Sequence, residues 1–187
     1  MENILPILLG TILINNLAMT KLVGISQLAH FGDEEGEVLC IGASAALIMA
    51  LSSVLAFAVG SFAELGALNL LVYTVLVLLA TGIVTVGVKS MKPEMYERVK
   101  KVLPLLSVNS AVFYLLLENA AEGLEFLPML MTSIGAPLGL LFAFVLYGAV
   151  RERLSVAHTP KAFKGLPILL VYAALAVLAL SGLNGIL

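Results

Sequence analysis

Charge is what this sequence has least of. Only 12% of its 187 residues are Asp, Glu, Lys or Arg, whereas soluble globular chains carry about 25%. Hydrophobic residues make up 61% of the chain, and the mean hydropathy is +1.10. So few ionisable groups cannot cover a water-facing surface, and the sequence therefore predicts a protein embedded in a lipid bilayer.

Basic residues and cysteine are also scarce. Ten Lys and Arg against twelve Asp and Glu give a net charge of −2, which excludes a basic face that binds nucleic acid. The single cysteine, Cys40, excludes a disulfide scaffold. Walker loops, Rossmann fingerprints and catalytic triads are absent as well, so the sequence does not predict an ordinary soluble-enzyme active site.

Long apolar stretches predict six transmembrane helices. A spanning helix needs about 20 mostly apolar residues, and four stretches qualify without interruption: 38–62, 68–88, 127–150 and 166–187. Two more, 4–31 and 102–117, contain polar residues or proline. Strict alternation of apolar and polar residues is absent, which excludes a membrane barrel. The predicted fold class is therefore an all-α integral membrane protein whose first and fourth spans are broken.

The distribution of basic residues predicts the orientation. Nine of the ten lie between spans three and four or between spans five and six; Lys21 alone lies inside a span. The positive-inside rule then places those two loops in the cytoplasm of a prokaryotic cell, with both termini outside the inner membrane. The connections on the other face carry acidic residues: Glu64, Glu118, Glu122 and Glu125.

An internal repeat is indicated by the order of the spans. With an offset of 93 residues, 41–43 matches 134–136 as Ile-Gly-Ala in both. The broken spans open the two halves of a 3+3 division, and three spans per half make the repeat inverted. We therefore predict one membrane domain over 1–187, with repeats of about 1–90 and about 100–187. Paired broken segments in such folds indicate a binding site near the membrane midplane.

The broken spans supply the candidate ion-pathway residues Asn15, Asn16, Lys21 and Asn109. The asparagines either coordinate a cation together with freed carbonyls, or cap half-helices and bond between helices. Lys21 is an ionisable residue well inside a span, which is a functional hypothesis by default. Alternatively, Lys21 extends its ammonium toward the membrane interface.

Four motifs, taken in order along the chain, resemble the A-type integral subunit of the Rnf complex and its homologues, the D and E subunits of sodium-translocating NADH:quinone reductase. They are Asn15-Asn16 followed by 21–26 (Lys-Leu-Val-Gly-Ile-Ser), then 105–112, 151–154 (Arg-Glu-Arg-Leu) and 160–165. The resemblance covers nearly the whole chain. It implies a six-helix inverted-repeat subunit that pairs with a homologous subunit of opposite topology, in a complex that couples electron transfer to Na⁺ or H⁺ translocation.

The chain departs from this family pattern at two positions. The resemblance implies one cysteine in each broken span, which together with two from the partner hold a 2Fe–2S cluster. Here those positions are Ser26 and Ser110, and a hydroxyl does not ionise as a thiolate does. Either the chain is an engineered or divergent member that has lost the cluster, or the cluster does not carry over. Two hydroxyls beside broken-helix carbonyls suit a hard cation better than iron.

Three functions remain open from the sequence. The first is a membrane subunit of an ion-translocating oxidoreductase, which has no catalytic activity alone. The second is a stand-alone or homodimeric transporter or channel without a redox centre, which the two serines favour. The third is a scaffold for other subunits. The loop motifs 151–154 and 160–165 favour the first, because they would face partner subunits.

Overall fold

The computed structural model describes residues 8, 10–24, 37–62, 66–123, 125–158 and 160–182. Within these ranges all regular structure is helical and no β-strand occurs, which confirms the predicted all-α class. The first regular element among the described residues is a π-helical segment, Gly10–Ile14, and two short 3₁₀ turns occupy Gly66–Leu68 and Lys161–Phe163. The α-helices are α1 Glu37–Phe62, α2 Asn69–Met91, α3 Pro93–Val99, α4 Leu103–Leu106, α5 Ser110–Glu122, α6 Phe126–Ser155 and α7 Leu166–Ser181.

Four helical segments are long and apolar enough to cross a bilayer: Val38–Ser61, Gly66–Met91, Leu103–Glu122 and Phe126–Leu154. They coincide with predicted spans two to five. The predicted first span is described only in part. The predicted sixth span is described as α7, whose 16 residues are fewer than the roughly 20 that a bilayer requires. Four helices of spanning length and composition are therefore confirmed within the described residues, and the six-span arrangement remains a prediction.

The core is built on the packing of α1 against α6. Gly42 of α1 allows the close approach, because a β-carbon there would lie 2.9 Å from Leu141 Cδ1 and 3.3 Å from Phe144 Cβ. Leu140, Ala143 and Phe144 are fully buried in the same layer. Without a hydrophobic driving force between helices in lipid, small residues that permit such close packing hold membrane helices together.

The outer surface of α2 is strongly apolar. Several of its large side chains are more than half exposed: Leu70, Leu71, Leu78, Leu79, Ile83 and Val86. A contiguous surface of this kind on a water-soluble monomer would drive aggregation. It is the composition expected of a helix that faces lipid tails or a neighbouring subunit.

The fourth span is broken for a local reason. Pro104 can occupy only the first turn of a helix without losing a backbone bond, and it lies at the start of the four-residue helix α4. Asn109 then adopts an extended conformation with φ −70° and ψ 121°, which ends one helical segment and begins α5. The side chain of Asn109 accepts a hydrogen bond from the amide of Ala111. Proline and asparagine thus place an irregular segment, 107–109, within the length of a membrane span.

Candidate functional site

The first span is broken at residues 15–24, which follow the π-helical segment Gly10–Ile14, and Asn16 holds this break. Its side chain is buried, and its Nδ2 donates to the carbonyls of Ile12 at 2.9 Å and of Gly139 in α6 at 2.7 Å. Its Oδ1 accepts from the amides of Ala18 and Met19, both at 3.1 Å. All the amide hydrogens and lone pairs that a buried asparagine normally uses are therefore occupied, and the break is fixed to α6.

Asn109 holds the break of the fourth span, 93 residues after Asn16. It is fully buried, and its Oδ1 accepts from the amide two residues later, as Asn16 Oδ1 does. Its Nδ2, however, finds no acceptor among the residues that the structure describes. A buried donor without a partner costs about 1–3 kcal/mol, so this break keeps an amide group that the described residues around it do not satisfy.

The two breaks contact each other at Gly24. The Gly24 amide donates to Ser110 Oγ at 3.0 Å. Gly24 has φ +82°, and a β-carbon there would lie 2.6 Å from Ala111 Cβ and 2.9 Å from Asn109 Oδ1. Only glycine fits this left-handed conformation and this close approach. The irregular backbone of the first span thereby packs against the N-terminus of α5.

Lys21 is paired across the same contact. Its Nζ lies 2.5 Å from Glu118 Oε1 and 2.6 Å from Tyr114 Oη, and the Tyr114 hydroxyl donates to the same carboxylate oxygen at 3.0 Å. The side chains of Lys21 and Glu118 are 33% and 29% exposed, so the pair lies on the surface of the single chain. Sequence reasoning missed Tyr114, although it stands 93 residues after Lys21.

The backbone around Lys21 is strained. Leu22 has φ +53°, a left-handed conformation that costs a non-glycine residue about 1–2 kcal/mol. Its side chain is 42% exposed. Strain of this kind persists where the surrounding contacts over-determine the backbone, and here the Lys21 pair and the Gly24 contact flank Leu22 on both sides.

The remaining predicted site residues are less constrained. Asn15 is exposed, and its backbone N–H donates to the carbonyl of Gly10 at 2.7 Å. Ser110 is exposed at the start of α5, beside Gly24. Ser26 lies outside the described residues. The structure thus brings Asn16, Asn109, Ser110 and Lys21 to one region and leaves Asn15 at its edge.

The donor set does not fit a 2Fe–2S cluster. Ser110 Oγ already accepts the Gly24 amide and remains a neutral hydroxyl near neutral pH, whereas such a cluster requires four thiolates or comparable ligands. The one thiol of the sequence, Cys40, lies in α1. Across the described ranges, no three His, Cys, Asp or Glu side chains group together in a way that could hold a metal ion.

A second polar group, which sequence reasoning missed, joins α1, α5 and α6. Ser53 Oγ lies 2.6 Å from Ser133 Oγ, and Asn119 Nδ2 donates to Ser53 Oγ at 3.1 Å. The Thr132 hydroxyl lies 3.1 Å from Asn119 Oδ1 and 2.9 Å from the carbonyl of Met129 in its own helix, and its single proton is shared between these two acceptors. Single serines and threonines in apolar helices usually bond to their own helix, so no signal in the sequence distinguishes these interhelical bonds.

Comparison with known proteins identifies the family. The family model described as "Rnf-Nqr subunit, membrane protein" matches residues 4–187. The A-type subunit of an ion-translocating oxidoreductase complex from Azoarcus sp. (strain BH72) is 30% identical over all of this chain and 98% of the relative. The A-type subunit of the Na(+)-translocating ferredoxin:NAD(+) oxidoreductase complex of Acetobacterium woodii is 28% identical over 96% of this chain and 95% of the relative. The chain therefore belongs to the Rnf-Nqr family of membrane subunits.

Proposed function

We propose that this chain is the membrane subunit of a complex that couples electron transfer to the translocation of Na⁺ or H⁺. The observation that carries the proposal is the family match over nearly the whole length, to relatives named as A-type subunits of ion-translocating oxidoreductase complexes. The contact between the two broken spans adds a physical reason, because irregular backbone at membrane depth is tolerated where it lines a pathway or is buried in protein.

The proposed architecture has six spans in a 3+3 inverted repeat, within one domain over 1–187. Its support is that Asn16 and Asn109 stand 93 residues apart, the same offset that aligns the Ile-Gly-Ala motifs. In both asparagines, the side-chain Oδ1 accepts a hydrogen bond from the backbone N–H of the residue two positions later. A repeated sequence offset that coincides with a repeated capping bond favours duplication of one three-span unit.

The proposed setting is a bacterial inner membrane, with both termini outside. The basic loop residues support this orientation, because Lys89, Lys92, Arg98, Arg151 and Arg153 all lie in or beside the two loops that the positive-inside rule assigns to the cytoplasm. The proposed partners are the lipid bilayer, a homologous subunit of opposite topology and further subunits of the complex. The exposed apolar face of α2 and the break around Val108, which is 76% exposed, provide surfaces for them.

In this proposal the ion pathway passes the contact of the two breaks. Asn15, Asn16, Lys21 and Asn109 belong to it as a group, and Ser26 and Ser110 mark the family's cluster-ligand positions. The bonds of Asn16 favour a role in holding the break. The side-chain amide of Asn109, which has no acceptor among the described residues, and the charge of Lys21 favour contact with the ion or partner that binds there.

A second candidate is a redox-free transporter, alone or as a homodimer. The specific observation that favours it is the replacement of thiols by Ser26 and Ser110 in a chain with one cysteine. The two candidates differ in iron and in partners. A native gel of the gently solubilised chain, combined with iron analysis and EPR, separates them.

Co-migration with redox subunits supports the complex. Migration of the chain alone or as a homodimer contradicts it and favours the transporter. An iron-free preparation that still co-migrates with redox subunits identifies a member that has kept the complex without its cluster. A stoichiometric 2Fe–2S signal carried by this chain would instead refute our interpretation of the two serines.

A further inference from the structure

A groove of about 650 Å³ runs between α1, α2 and α3. On α1 its wall follows one helix face from Cys40 to Val54, at the three- and four-residue spacing of successive turns. On α2 the wall extends from Ile83 to Met91. Three residues at and after the end of α2 close one end of the groove: Lys92, Met95 and Val99.

The groove opens sideways, to the outer surface of the helix bundle. Leu47 on the wall of α1 and Ile83 on the wall of α2 are 56% and 58% exposed. Between them the lining residues are small: Ala43 and Ala50 lie on α1 and Gly87 on α2. No atom lies within 4 Å of the position that a β-carbon would occupy at Gly87. Small residues therefore leave a space on a surface that bulky side chains cover elsewhere on α2.

The length of the groove is suited to one leaflet of a bilayer. Cys40 and Val54 stand 14 residues apart, which is about 21 Å of helix at 1.5 Å per residue. The hydrocarbon of one leaflet is about 15 Å thick, half of the roughly 30 Å core. Since Lys92 lies at one end, the groove extends from the membrane interface beside the basic loops to about the middle of the bilayer.

The interior of the groove has no strong hydrogen-bond donor to offer. The Ser44 hydroxyl donates to the carbonyl of Cys40 at 2.8 Å, within its own helix, and the Cys40 thiol is a weak donor. The other lining residues short of Lys92 are alanine, glycine, leucine, isoleucine, valine or methionine. Because a buried polar group without a partner is costly, the occupant that fits this groove is apolar along its length.

Positive charge marks the closed end of the groove. Lys92 is exposed there, in a segment, 89–101, that contains five basic and two acidic residues. One of the two acids, Glu97, is paired with Lys100. Basic residues beside an apolar groove at the membrane interface attract anionic lipid head groups. The combination therefore complements a molecule that joins long apolar chains to an anionic group.

We infer that this groove binds one anionic phospholipid, with an acyl chain along α1 and α2 and the phosphate beside Lys92. Its volume lies within the range of about 300–1,000 Å³ that is typical of small-molecule sites. Charge complementarity favours the lipid over a transmembrane helix of a partner, because every anionic phospholipid places its phosphate at this depth, next to its chains. The inference goes beyond the proposed electron-transfer function and does not depend on it.

Occupancy of the groove is tested by native mass spectrometry of the full chain in mild detergent. The probes are phosphatidylglycerol and phosphatidylethanolamine with the same acyl chains. Wild type should retain one phosphatidylglycerol per chain, and Gly87→Phe should lose it, because the added ring occupies the groove. Gly82→Phe is the matched control, since its β-carbon is equally unhindered on the same helix but outside the groove. Equal retention in Gly87→Phe and wild type, or equal loss in Gly82→Phe, would overturn the site.

The choice of head group is tested at Lys92, without filling the groove. Wild type should prefer phosphatidylglycerol over phosphatidylethanolamine, and Lys92→Gln should reduce that preference about fivefold, the equivalent of about 1 kcal/mol for one lysine at the membrane surface. Lys101→Gln is the control, because Lys101 is exposed in the same basic segment but does not line the groove. An unchanged preference in Lys92→Gln, or an equal reduction in Lys101→Gln, contradicts a phosphate beside Lys92.

The position of the lipid is tested in membranes of cells that express the full chain, with a phosphatidylglycerol whose acyl chain carries a photoactivatable diazirine. Cross-links should concentrate at 40–54 and 83–91 and spare Leu79, which is exposed on α2 outside the groove. Cross-links spread equally over the groove and Leu79 would indicate surrounding bulk lipid only. Absence of cross-links in the groove would identify another occupant, such as a partner helix. Either result refutes the proposal, and both are independent of the native-gel test of the complex.

Discussion

The two broken spans differ in how many hydrogen bonds their buried asparagines make. In the first, Asn16 makes four hydrogen bonds, two of them to carbonyls of its own segment and of α6. In the second, Asn109 caps α5 through its oxygen, while its nitrogen has no acceptor in the described part of the chain. The first asparagine is fully used in holding structure, whereas the second keeps a buried donor available to a neighbour or a ligand.

The largest expected effect is that of Asn16→Ala. The substitution leaves the carbonyls of Ile12 and Gly139 and the amides of Ala18 and Met19 without their side-chain partner, at about 1–3 kcal/mol for each group that stays buried. We expect a loss of about 3 kcal/mol or more in the free energy of unfolding, seen as a lower melting temperature of the detergent-solubilised protein. Asn15→Ala is the control, because Asn15 is exposed; equal melting of the two variants would contradict the comparison.

Gly24→Ala should have the next largest effect. The added methyl would meet Ala111 Cβ at 2.6 Å in a left-handed backbone, which combines conformational strain with overpacking at a total of about 2–4 kcal/mol. The two breaks would separate, so the melting temperature should fall. At Gly82, a helical position with open space around it, the same change should be neutral or stabilising. A neutral Gly24→Ala would show that the breaks are not held in contact.

Asn109→Ala should cost less than Asn16→Ala, and this difference is the direct test of the comparison. It removes one capping bond, worth about 1 kcal/mol, and at the same time removes a donor that has no acceptor among the described residues. We expect a fall in melting temperature of less than half that of Asn16→Ala. An equal fall would mean that Asn109 Nδ2 has a partner after all.

The sequence was sufficient to predict the helical class, the membrane setting and the apolar helices at predicted spans two to five, including the broken fourth one. Hydropathy reports these directly, because a bilayer requires about 20 apolar residues whatever they pack against. The stretch 166–187, predicted as uninterrupted, is described only as the 16-residue helix α7. The break at 107–109 was also predictable, since Pro104 and Asn109 act locally. The remaining spans and the inverted repeat still stand as predictions.

Side-chain pairings could not be predicted in the same way. The sequence places Glu118 only among the acidic residues of the outer connections. Its pairing with Lys21, 97 residues earlier, depends on how the two halves pack. The same holds for Ser53. Nothing in the sequence distinguishes it from other helix serines, and its bonds to Ser133 and Asn119 arise only when the helices pack together. Tertiary contacts of this kind leave no periodic pattern in the sequence.

The smallest expected effect on stability is that of Lys21→Met. The Lys21–Glu118 pair is about one-third exposed, and exposed ion pairs contribute about 1 kcal/mol or less, so the variant should fold and assemble. If the contact of the two breaks lies on the ion pathway, however, removing its lysine should abolish ion flux in proteoliposomes.

Lys100→Met is the matched control for Lys21→Met. Lys100 is also paired with a glutamate, Glu97, but it lies in the loop between α3 and α4 and outside the spans, so flux should persist when it is replaced. Unchanged flux in Lys21→Met would remove Lys21 from the pathway and leave it as a lysine that ties the first break to α5. Lost flux with normal assembly would instead place function at the contact of the two breaks, beside Asn109, whose Nδ2 finds no acceptor in the described part of the chain.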